Sequence, residues 1–447
     1  MSYQVPQHIA DSKIFLAKFS EVQGGRLDPV YVYSTKHKRI YNYASKSLNK
    51  LVSFATGGTP SKANPEYWNG NIFWVSAKDF KSFYIDSSED TITELGLKKS
   101  SSKLIPQNSL LMVVRSGILL HTLPIAITKC PVAINQDVKA LFVKDSQLNA
   151  QYLGYFFDVF NKYVLSKIVK HSTTVQSVNT NELERLEIPL PSLEIQKEIV
   201  SFMDDAYAQK QQKELQAKAL LQSIDEYLLG ELGIERPSPT RTENGRFFYT
   251  SFHNLIGSEW TPLSIKNMGK RSKSTLYKEI KLSTIATIEK GQSITSKDII
   301  EGEYPVIAGG QSSPYSHNQY NYKGNIVTIS ASGAYSGYVW YHNYPIFASD
   351  CSVIFSNDEN VYLTKYIYEI LRLRQQEIYL LQKGAGQPHV YPSDIANLTI
   401  PAIPLEKQQD IVAYCQELRN KAELLQKEGR DIISTAKDAI EQMIIGN

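Results

Sequence analysis

The 447-residue sequence is poor in cysteine, in long apolar runs and in net charge, and each shortage excludes a class of protein. Its three cysteines, Cys130, Cys351 and Cys415, lie far apart without a CxxC pair. This spacing argues against a zinc ribbon or a disulfide framework and predicts a reducing, cytoplasmic location. No apolar run is long enough for a membrane span, and residues 1–4 begin no basic-then-apolar signal segment. The net charge of only +3 does not by itself indicate a nucleic-acid partner.

Catalytic motifs are also missing. There is no GxxxxGK[ST] phosphate loop, no HExxH and no GxSxG, and no histidine pair has metal-ligand spacing. Asn64-Pro65-Glu66-Tyr67 is only superficially like the Asn-Pro-Pro-Tyr loop of amino-methyltransferases, because Glu66 replaces the second proline. Glu279-Ile280-Lys281 fits the tail of a nuclease PD-(D/E)xK pattern, but no Pro-Asp precedes it. We therefore predict a chain without catalytic residues, metal or cofactor of its own.

What the sequence does contain is an internal duplication at long period. The segment 188–200, IPLPSLEIQKEIV, recurs as 400–412, IPAIPLEKQQDIV, with seven identities in register at an offset of 212. Asp137 and Asp350 continue the match at an offset of 213. Each copy begins with short β-like runs, such as residues 110–114 and 325–329, punctuated by Gly, Pro, Asn and Ser. A short helix is predicted next, at about 147–169 and 361–382.

A long amphipathic helix follows in each copy, from near Ser192 and near Pro404. Apolar residues recur at three- to four-residue steps, which is typical of a coiled-coil seam, and about 40 residues make a rod of roughly 60 Å. The simplest partner for each stripe is the helix of the other copy. We assign partner binding to eight residues of these stripes: Ile199, Met203, Leu220, Ile224, Ile411, Leu418, Leu425 and Ile432.

The predicted organisation has four parts. A first mixed α/β domain occupies 1–191 and a first spacer helix 192–234, while a second domain occupies 235–403 and a second spacer helix 404–447. The Pro- and Gly-rich stretch 230–245 is the linker. The fold class is α+β, with the two helices pairing as an antiparallel coiled coil.

Charge is distributed unevenly over these parts. Residues 1–191 carry 22 Lys and Arg against 15 Asp and Glu, a net +7, and residues 235–403 carry a net +2. The two helical segments carry −4 and −2. A phosphate-binding surface is therefore plausible on the two domains, more clearly on the first.

Loops of the two domains combine basic residues with Ser, Thr, Gln and Gly, the residue types that read base edges and approach phosphates. Ordinary turns use the same residues, so each position has a structural reading as well. The candidate DNA contacts are Thr59, Ser61, Lys62, Ser76, Lys78, Arg115, Ser116, Thr173, Thr174, Gln176, Gln292, Gln311, Ser312, Ser332, Tyr335, Gln387 and His389.

This pattern resembles the specificity subunit of type I restriction–modification systems over nearly the whole chain. Gly57-Gly58-Thr59-Pro60-Ser61, Tyr67-Trp68-Asn69-Gly70 and Trp74-Val75-Ser76-Ala77-Lys78-Asp79 look like the start of that family's target-recognition domain. Arg26-Leu27-Asp28-Pro29 looks like its N-terminal segment, with Glu259-Trp260-Thr261-Pro262 as a looser second copy. The second domain departs from the pattern, having Lys290-Gly291-Gln292-Ser293.

The resemblance implies a non-catalytic subunit in which each domain reads one half of a split, asymmetric DNA site. The paired helices would set the gap and bind two methyltransferase subunits, with restriction or translocase subunits as further partners and no membrane. S-adenosylmethionine, ATP and Mg would belong to the partner subunits. Two alternatives stay open, namely a self-contained DNA methyltransferase or nuclease, and a coiled-coil scaffold without direct DNA contact.

Overall fold

The computed structural model describes residues 39–170, 175–235, 272–295, 297–313, 315–384 and 386–445. The chain forms two compact units. The first consists of the residues up to Gln212 together with the segment from Lys427 onward, and the second runs from Lys213 to Gln426. Both boundaries fall inside long helices, so each long helix contributes one part to each unit. Thr173, Thr174, the motifs at 26–29 and 259–262, and most of the predicted linker lie outside the described residues.

The described part of the first unit combines two larger sheets with two strand pairs. The larger sheets have the orders β2-β10-β7-β8-β4 and β5-β3-β9-β6, and the pairs are β1-β13 and β11-β12. The strands are β1 (Ser45–Ser47), β2 (Val52–Thr56), β3 (Trp68–Val75), β4 (Tyr84–Ile85), β5 (Asp90–Ile92), β6 (Leu104–Ile105), β7 (Leu110–Val113), β8 (Ile125–Thr128), β9 (Val132–Ile134), β10 (Val138–Val143), β11 (Val169–Lys170), β12 (Ser177–Val178) and β13 (Glu187–Pro189).

Helices cover one face of the five-stranded sheet. They are α1 (Leu48–Leu51), α3 (Ala150–Val159), α4 (Asn161–Ile168), α5 (Thr180–Glu184) and the start of α6 (Leu193–Leu232), whereas α2 (Glu94–Lys98) packs against β3 and β5 of the four-stranded sheet. Side chains alternate across a strand, and in β7 Leu110 and Met112 join the core under these helices while Leu111 and Val113 join a second core. Because both faces of the sheet are covered, β7 is apolar throughout.

The described part of the second unit repeats this plan with fewer strands. Its sheets have the orders β17-β23-β20-β21 and β19-β18-β22, with pairs β16-β24 and β14-β15. The elements are β14 (Ile234–Glu235), β15 (Lys273–Ser274), β16 (Glu279–Lys281), α7 (Leu282–Ile285), β17 (Ala286–Lys290), β18 (Tyr304–Ile307), β19 (Ser316–His317), β20 (Ile326–Ser330), β21 (Val339–His342), β22 (Phe347–Ala348), β23 (Cys351–Ser356), α8 (Thr364–Leu373), α9 (Gln375–Tyr379), α10 (Pro392–Ala396), β24 (Thr399–Pro401) and α11 (Leu405–Ile444).

The two long helices pair antiparallel, as the sequence predicts. In the first unit, Lys210 of α6 lies against Gly429 of α11. In the second, Glu231 forms an ion pair with Lys407 at 3.0 Å, and the rings of Tyr227 and Tyr414 lie 4.3 Å apart. As the residue number rises along α6, its contact on α11 falls, which is the signature of an antiparallel pair.

The single short helix predicted in each copy is instead two helices. α3 gives way to α4 at Phe160, and α8 gives way to α9 at Arg374, where both residues have ψ near 20°. The break places an amide side chain at the start of the next helix, and each amide bonds to a neighbouring hairpin. Asn161 forms a hydrogen bond with Leu123, and Gln375 forms one with Val339. These are tertiary contacts, which the helical periodicity of the sequence does not predict.

Candidate nucleic-acid interface

In the first unit, backbone hydrogen bonds join four loop segments into what we call the first loop cluster, residues 57–59, 114–116, 135–137 and 175–178. The Gly58 amide donates to the Ile134 carbonyl at 3.0 Å, and the Val114 amide donates to the Asp137 carbonyl at 2.8 Å. The Ser116 amide donates to the Gln176 carbonyl at 3.1 Å. Four stretches that are distant in sequence are thereby held side by side at the ends of β2, β7 and β9.

Close approach of the backbone explains the first glycine of the Gly-Gly-Thr-Pro-Ser motif. A Cβ atom at Gly57 would lie 1.8 Å from the Ile134 carbonyl oxygen, so only glycine fits there. Two residues later, the exposed Thr59 hydroxyl donates to the Gln136 side chain at 2.6 Å. The loop therefore presents two polar side chains, of which Gln136 was not predicted from sequence.

A second feature of this cluster is a row of three side chains across neighbouring strands, which we call the first rung. Arg115 pairs with Ser177, and Ser177 pairs with Lys170 of β11. Residues directly opposite each other on antiparallel strands point to the same face. The first rung therefore presents two exposed cations, Arg115 and Lys170, on either side of a small hydroxyl.

Two predicted residues of the first domain are engaged in the fold. Ser76 is buried and forms a capping box with Asp79, its hydroxyl donating to the carboxylate at 3.1 Å. Lys78 forms ion pairs with Asp90 at 2.9 Å and Glu89 at 3.2 Å, and these hydrogen bonds raise the pKa of Lys78. Ser76 is thus assigned to folding rather than contact, because burial removes its hydroxyl from the surface, whereas Ser61 and Lys62 are exposed.

The second unit repeats the hydrogen-bond framework in a second loop cluster, residues 290–292, 308–312, 331–333, 349–350 and 387–390. The Gln292 amide donates to the Ala348 carbonyl at 2.9 Å, and the Gly333 amide donates to the Pro388 carbonyl at 3.1 Å. A Cβ atom at Gly291 would lie 2.2 Å from the Ser349 carbonyl oxygen, as at Gly57. The departure from Gly-Gly-Thr-Pro-Ser therefore keeps the glycine that the geometry requires.

The side chains on this shared framework differ from those of the first unit. Ser332 pairs with His389, and His389 pairs with Lys383, which gives a second rung at the same place as Arg115, Ser177 and Lys170. The Ser332 hydroxyl donates to the Asp350 carboxylate, and Lys383 forms an ion pair with Asp394 at 3.0 Å. The second rung is accordingly less cationic than the first.

Most of the predicted residues of the second domain are exposed on or beside this cluster. Gln292, Gln311, Ser312, Gln387 and Tyr335 are exposed, and the Ser330 hydroxyl holds the loop before Gln311 by donating to the Gly310 carbonyl at 3.3 Å. The prediction missed Lys170, Ser177, Gln136 and Lys383. The sequence match of Asp137 with Asp350 did locate one position of each loop cluster, because the backbone carbonyls of these two residues accept equivalent hydrogen bonds in the two clusters.

Comparison with known families bears on these two clusters. The family described as "Type I restriction modification DNA specificity domain" matches residues 41–221 and again 275–432. The chain belongs to this family. The two matched segments contain the two loop clusters, so the duplication seen in sequence and in hydrogen bonding is a duplication of the family's domain.

Relatives of the specificity-subunit family match the chain to different extents. The type I restriction enzyme EcoR124I/EcoR124II specificity subunit of Escherichia coli is 39% identical over 160 residues, 36% of this chain and 39% of that protein. The MjaIX specificity subunit of Methanocaldococcus jannaschii is 26% identical over 379 residues, 80% of this chain and 83% of that protein. The chain thus spans well under half of the Escherichia coli relative in its match but most of the archaeal one.

A solved structure of the type I restriction–modification system, described as the basis of its "complex assembly and conformational transition", has the same fold. Its TM-score is 0.50 at 15% identity, covering 91% of this chain and 97% of that chain. At this identity the likeness concerns the fold alone.

The stripe residues of the two long helices contact the chain itself. Ile199 and Met203 lie in one core with Ala436 and Ile440, and Ile224 lies in another with Ile411 and Leu418. Leu220, Leu425 and Ile432 are half-buried. The side chains of these five buried residues, Ile199, Met203, Ile224, Ile411 and Leu418, are already packed inside the chain. A separate subunit would therefore have to contact other side chains of the two helices.

Within the described residues, no group of three or more His, Cys, Asp or Glu side chains is arranged to hold a metal ion. Burial raises the pKa of the Cys351 and Cys415 thiols to about 12. Both thiols are core groups. Every helix that the structure describes is too short or too polar to cross a bilayer.

Proposed function

We propose that this chain is a DNA-reading specificity subunit in which each domain recognises one half of a bipartite, asymmetric site in double-stranded DNA. The observation that carries the proposal is one backbone framework with two different sets of side chains. Arg115, Ser177 and Lys170 stand where Ser332, His389 and Lys383 stand in the second domain. A shared framework with unlike side chains suits two half-sites that differ in sequence.

Electrostatics supports DNA as the ligand. Residues 1–191 carry a net +7, and the exposed Arg115 and Lys170 stand beside Gln176 and Thr59, which have the donors and acceptors that base edges require. Phosphate neutralisation by such cations releases counterions, so binding should weaken steeply as salt rises. A coiled-coil scaffold without DNA contact would lack this dependence.

We further propose that two methyltransferase subunits dock on the long helices, and that S-adenosylmethionine, ATP and Mg act in partner subunits. Exposed apolar side chains on the helices offer contacts, namely Phe202 in the first unit and Leu215, Tyr414 and Leu424 in the second. The lengths of α6 and α11 would set the gap between the half-sites.

Exchange of residues 1–191 for the matching region of another family member tests the proposal. Mapping of methylated DNA in cells that carry the chain with its methyltransferase partners should show that one half of the site changes. Exchange of residues 235–403 is the matched control and should change the other half. If both halves changed together, or neither changed, modular reading would be excluded.

The enzyme alternative has its own test. The purified chain alone should neither bind S-adenosylmethionine nor cleave DNA. Methyl transfer or cleavage by the chain without partners would replace the proposal with a self-contained enzyme.

A further inference from the structure

The hairpin between β7 and β8 carries two exposed aliphatic side chains beside the first loop cluster. Its connection contains a 3-10 turn at Gly117–Leu120, in which Leu119 is buried while Ile118 and Leu120 are 44% and 55% exposed. Val175, in the neighbouring segment, is 39% exposed. We name Ile118, Leu120 and Val175 the apolar tip.

The turn that carries the apolar tip is held at both ends. On one side, the Ser116 amide donates to the Gln176 carbonyl at 3.1 Å, and the Ser116 hydroxyl accepts from the Ile118 amide at 3.3 Å. On the other side, the Asn161 amide group accepts from the Leu123 amide and donates to the Leu123 carbonyl, both at 2.9 Å. Leu119 fixes the centre. Exposed apolar groups on a well-anchored turn are presented in a defined place.

The second domain anchors its corresponding hairpin in the same way, with a glutamine side chain in place of the asparagine. Gln375 bonds to the β20–β21 hairpin as Asn161 does to the β7–β8 hairpin, donating to the Gly337 carbonyl at 2.7 Å and accepting from the Val339 amide at 2.9 Å. At the turn, Tyr335 is 48% exposed. Both domains therefore place a bulky apolar or aromatic group next to a loop cluster.

The charge around the apolar tip suits a polyanion. The two described segments that carry it, residues 114–123 and 175–181, contain no Asp or Glu, and Asp137 of the first loop cluster lies next to them, its backbone carbonyl accepting from the Val114 amide at 2.8 Å. The first segment contributes Arg115, and Lys170 of β11 pairs with Ser177 of the second. An acidic protein partner would also be attracted, but Arg115 and Gln176 tie the tip to the surface assigned above to DNA.

We propose that the apolar tip of the first domain contacts bases of the DNA half-site through nonpolar surface, a role that rests on the DNA-reading function proposed above. Exposed aliphatic groups meet thymine methyl groups in the major groove, or enter between base steps, and either contact depends on sequence. Phosphates offer no nonpolar surface. The tip thus adds specificity without neutralising charge, while Arg115 and Lys170 neutralise phosphates.

The test uses the chain assembled with its methyltransferase partners and fluorescent duplexes with the mapped site or a scrambled site. The Ile118→Ser/Leu120→Ser variant should bind the site duplex about tenfold more weakly, from the lost burial of two half-exposed aliphatic groups. It should bind the scrambled duplex as the wild type does. The slope of log affinity against log salt should stay unchanged, whereas Arg115→Ala or Lys170→Ala should flatten it by about one.

Two control variants accompany this measurement. Ile40→Ser/Leu276→Ser removes the same side-chain types from exposed positions that belong to neither loop cluster, Ile40 next to Arg39, which pairs with Glu441 of α11, and Leu276 beside Gly233 at the end of α6. Its affinity should stay within about twofold of wild type. Ile118→Val/Leu120→Val keeps the nonpolar surface and should retain most of the affinity, with thermal unfolding confirming that each variant folds.

The outcomes separate the two proposals. Wild-type affinity in the Ile118→Ser/Leu120→Ser variant, or equal losses on site and scrambled duplexes, overturns the base contact. Failure of that folded variant to assemble with its partners would assign the tip to a protein interface and also overturn it. Absence of salt-dependent site binding by the wild-type complex would instead overturn the DNA-reading function itself.

Discussion

Two buried glutamine side chains, Gln196 and Gln408, anchor the starts of the long helices. The Gln196 side chain accepts from the Asn149 amide at 2.8 Å and donates to the carbonyls of Gln147 and Pro191 at 2.7 and 2.9 Å. Gln408 repeats all three bonds with Leu363, Val361 and Ile403. This satisfied network gives the glutamine of the Ile-Pro-x-x-x-Leu-Glu-x-Gln segment its physical role.

Replacing Gln196 with Ala should lower the free energy of unfolding by about 3 kcal/mol, because three buried backbone groups lose their partner. Urea unfolding monitored by circular dichroism measures the change. Gln209→Ala, on the exposed side of the same helix, is the matched control and should stay within about 0.5 kcal/mol. Equal behaviour of the two variants would show that the network does not stabilise the fold.

His342 is a buried neutral base in the second unit. Its Nε2 atom lies 2.8 Å from the Thr328 hydroxyl, the side chain is fully buried, and its ring lies 5.1 Å from that of Trp340. Burial lowers the pKa of His342 to about 4. Between pH 4 and the ordinary pKa of about 6.5, the folded chain therefore binds fewer protons here than the unfolded chain.

Stability at this position should consequently fall as the pH is lowered from about 6.5 to 4, by up to about 1.4 kcal/mol per pH unit. His342→Gln removes the titrating group and should flatten this part of the profile. Urea midpoints of wild type and variant at pH 7, 6 and 5 test it, since their difference should change with pH. A constant difference over that range would contradict the assigned pKa.

At the scale of elements, the two long helices are predictable in type, length and pairing, because a repeated apolar stripe of about 40 residues has few other solutions. α6 and α11 begin within a residue of the expected starts, at Leu193 and Leu405. Their stripes bury Met203 with Ala436 in one unit and Ile224 with Cys415 in the other. The helices α3, α4, α8 and α9 are less predictable from sequence. The breaks between α3 and α4 and between α8 and α9 position Asn161 and Gln375 for tertiary hydrogen bonds, which no local pattern indicates.

If the helices set the gap of the DNA site, seven residues inserted after Gln212 in α6 and after Gln426 in α11 should lengthen that gap. Seven residues keep the stripe in register and add roughly 10 Å, or about three base pairs at 3.4 Å each. Methylation mapping reads out the gap. Insertion in α6 alone is the control and should abolish modification, since the stripes no longer match. An unchanged gap after the double insertion would end the ruler hypothesis.

At the scale of the whole molecule, duplication is the organising fact. The Tyr152 hydroxyl donates to the Pro189 carbonyl at 2.9 Å, and the Tyr366 hydroxyl donates to the Pro401 carbonyl at 2.7 Å. The residues that form these two equivalent hydrogen bonds are separated along the chain by about the offset of 212 found in the sequence repeat. The net charge of +3 conceals this organisation, because basic domains and acidic helices cancel.

The sequence by itself determined the duplicated α+β plan and the antiparallel helix pair, since these follow from periodicity and from repeated local motifs, and its loop and helix-entry motifs resemble the family that the comparison confirms. Tertiary structure alone decided which side chains share a surface. Lys170 joins Arg115 through Ser177, and Ser76 turns inward to Asp79. Such neighbours are set by strand register and by the satisfaction of buried polar groups, and both depend on segments that are far apart in the chain.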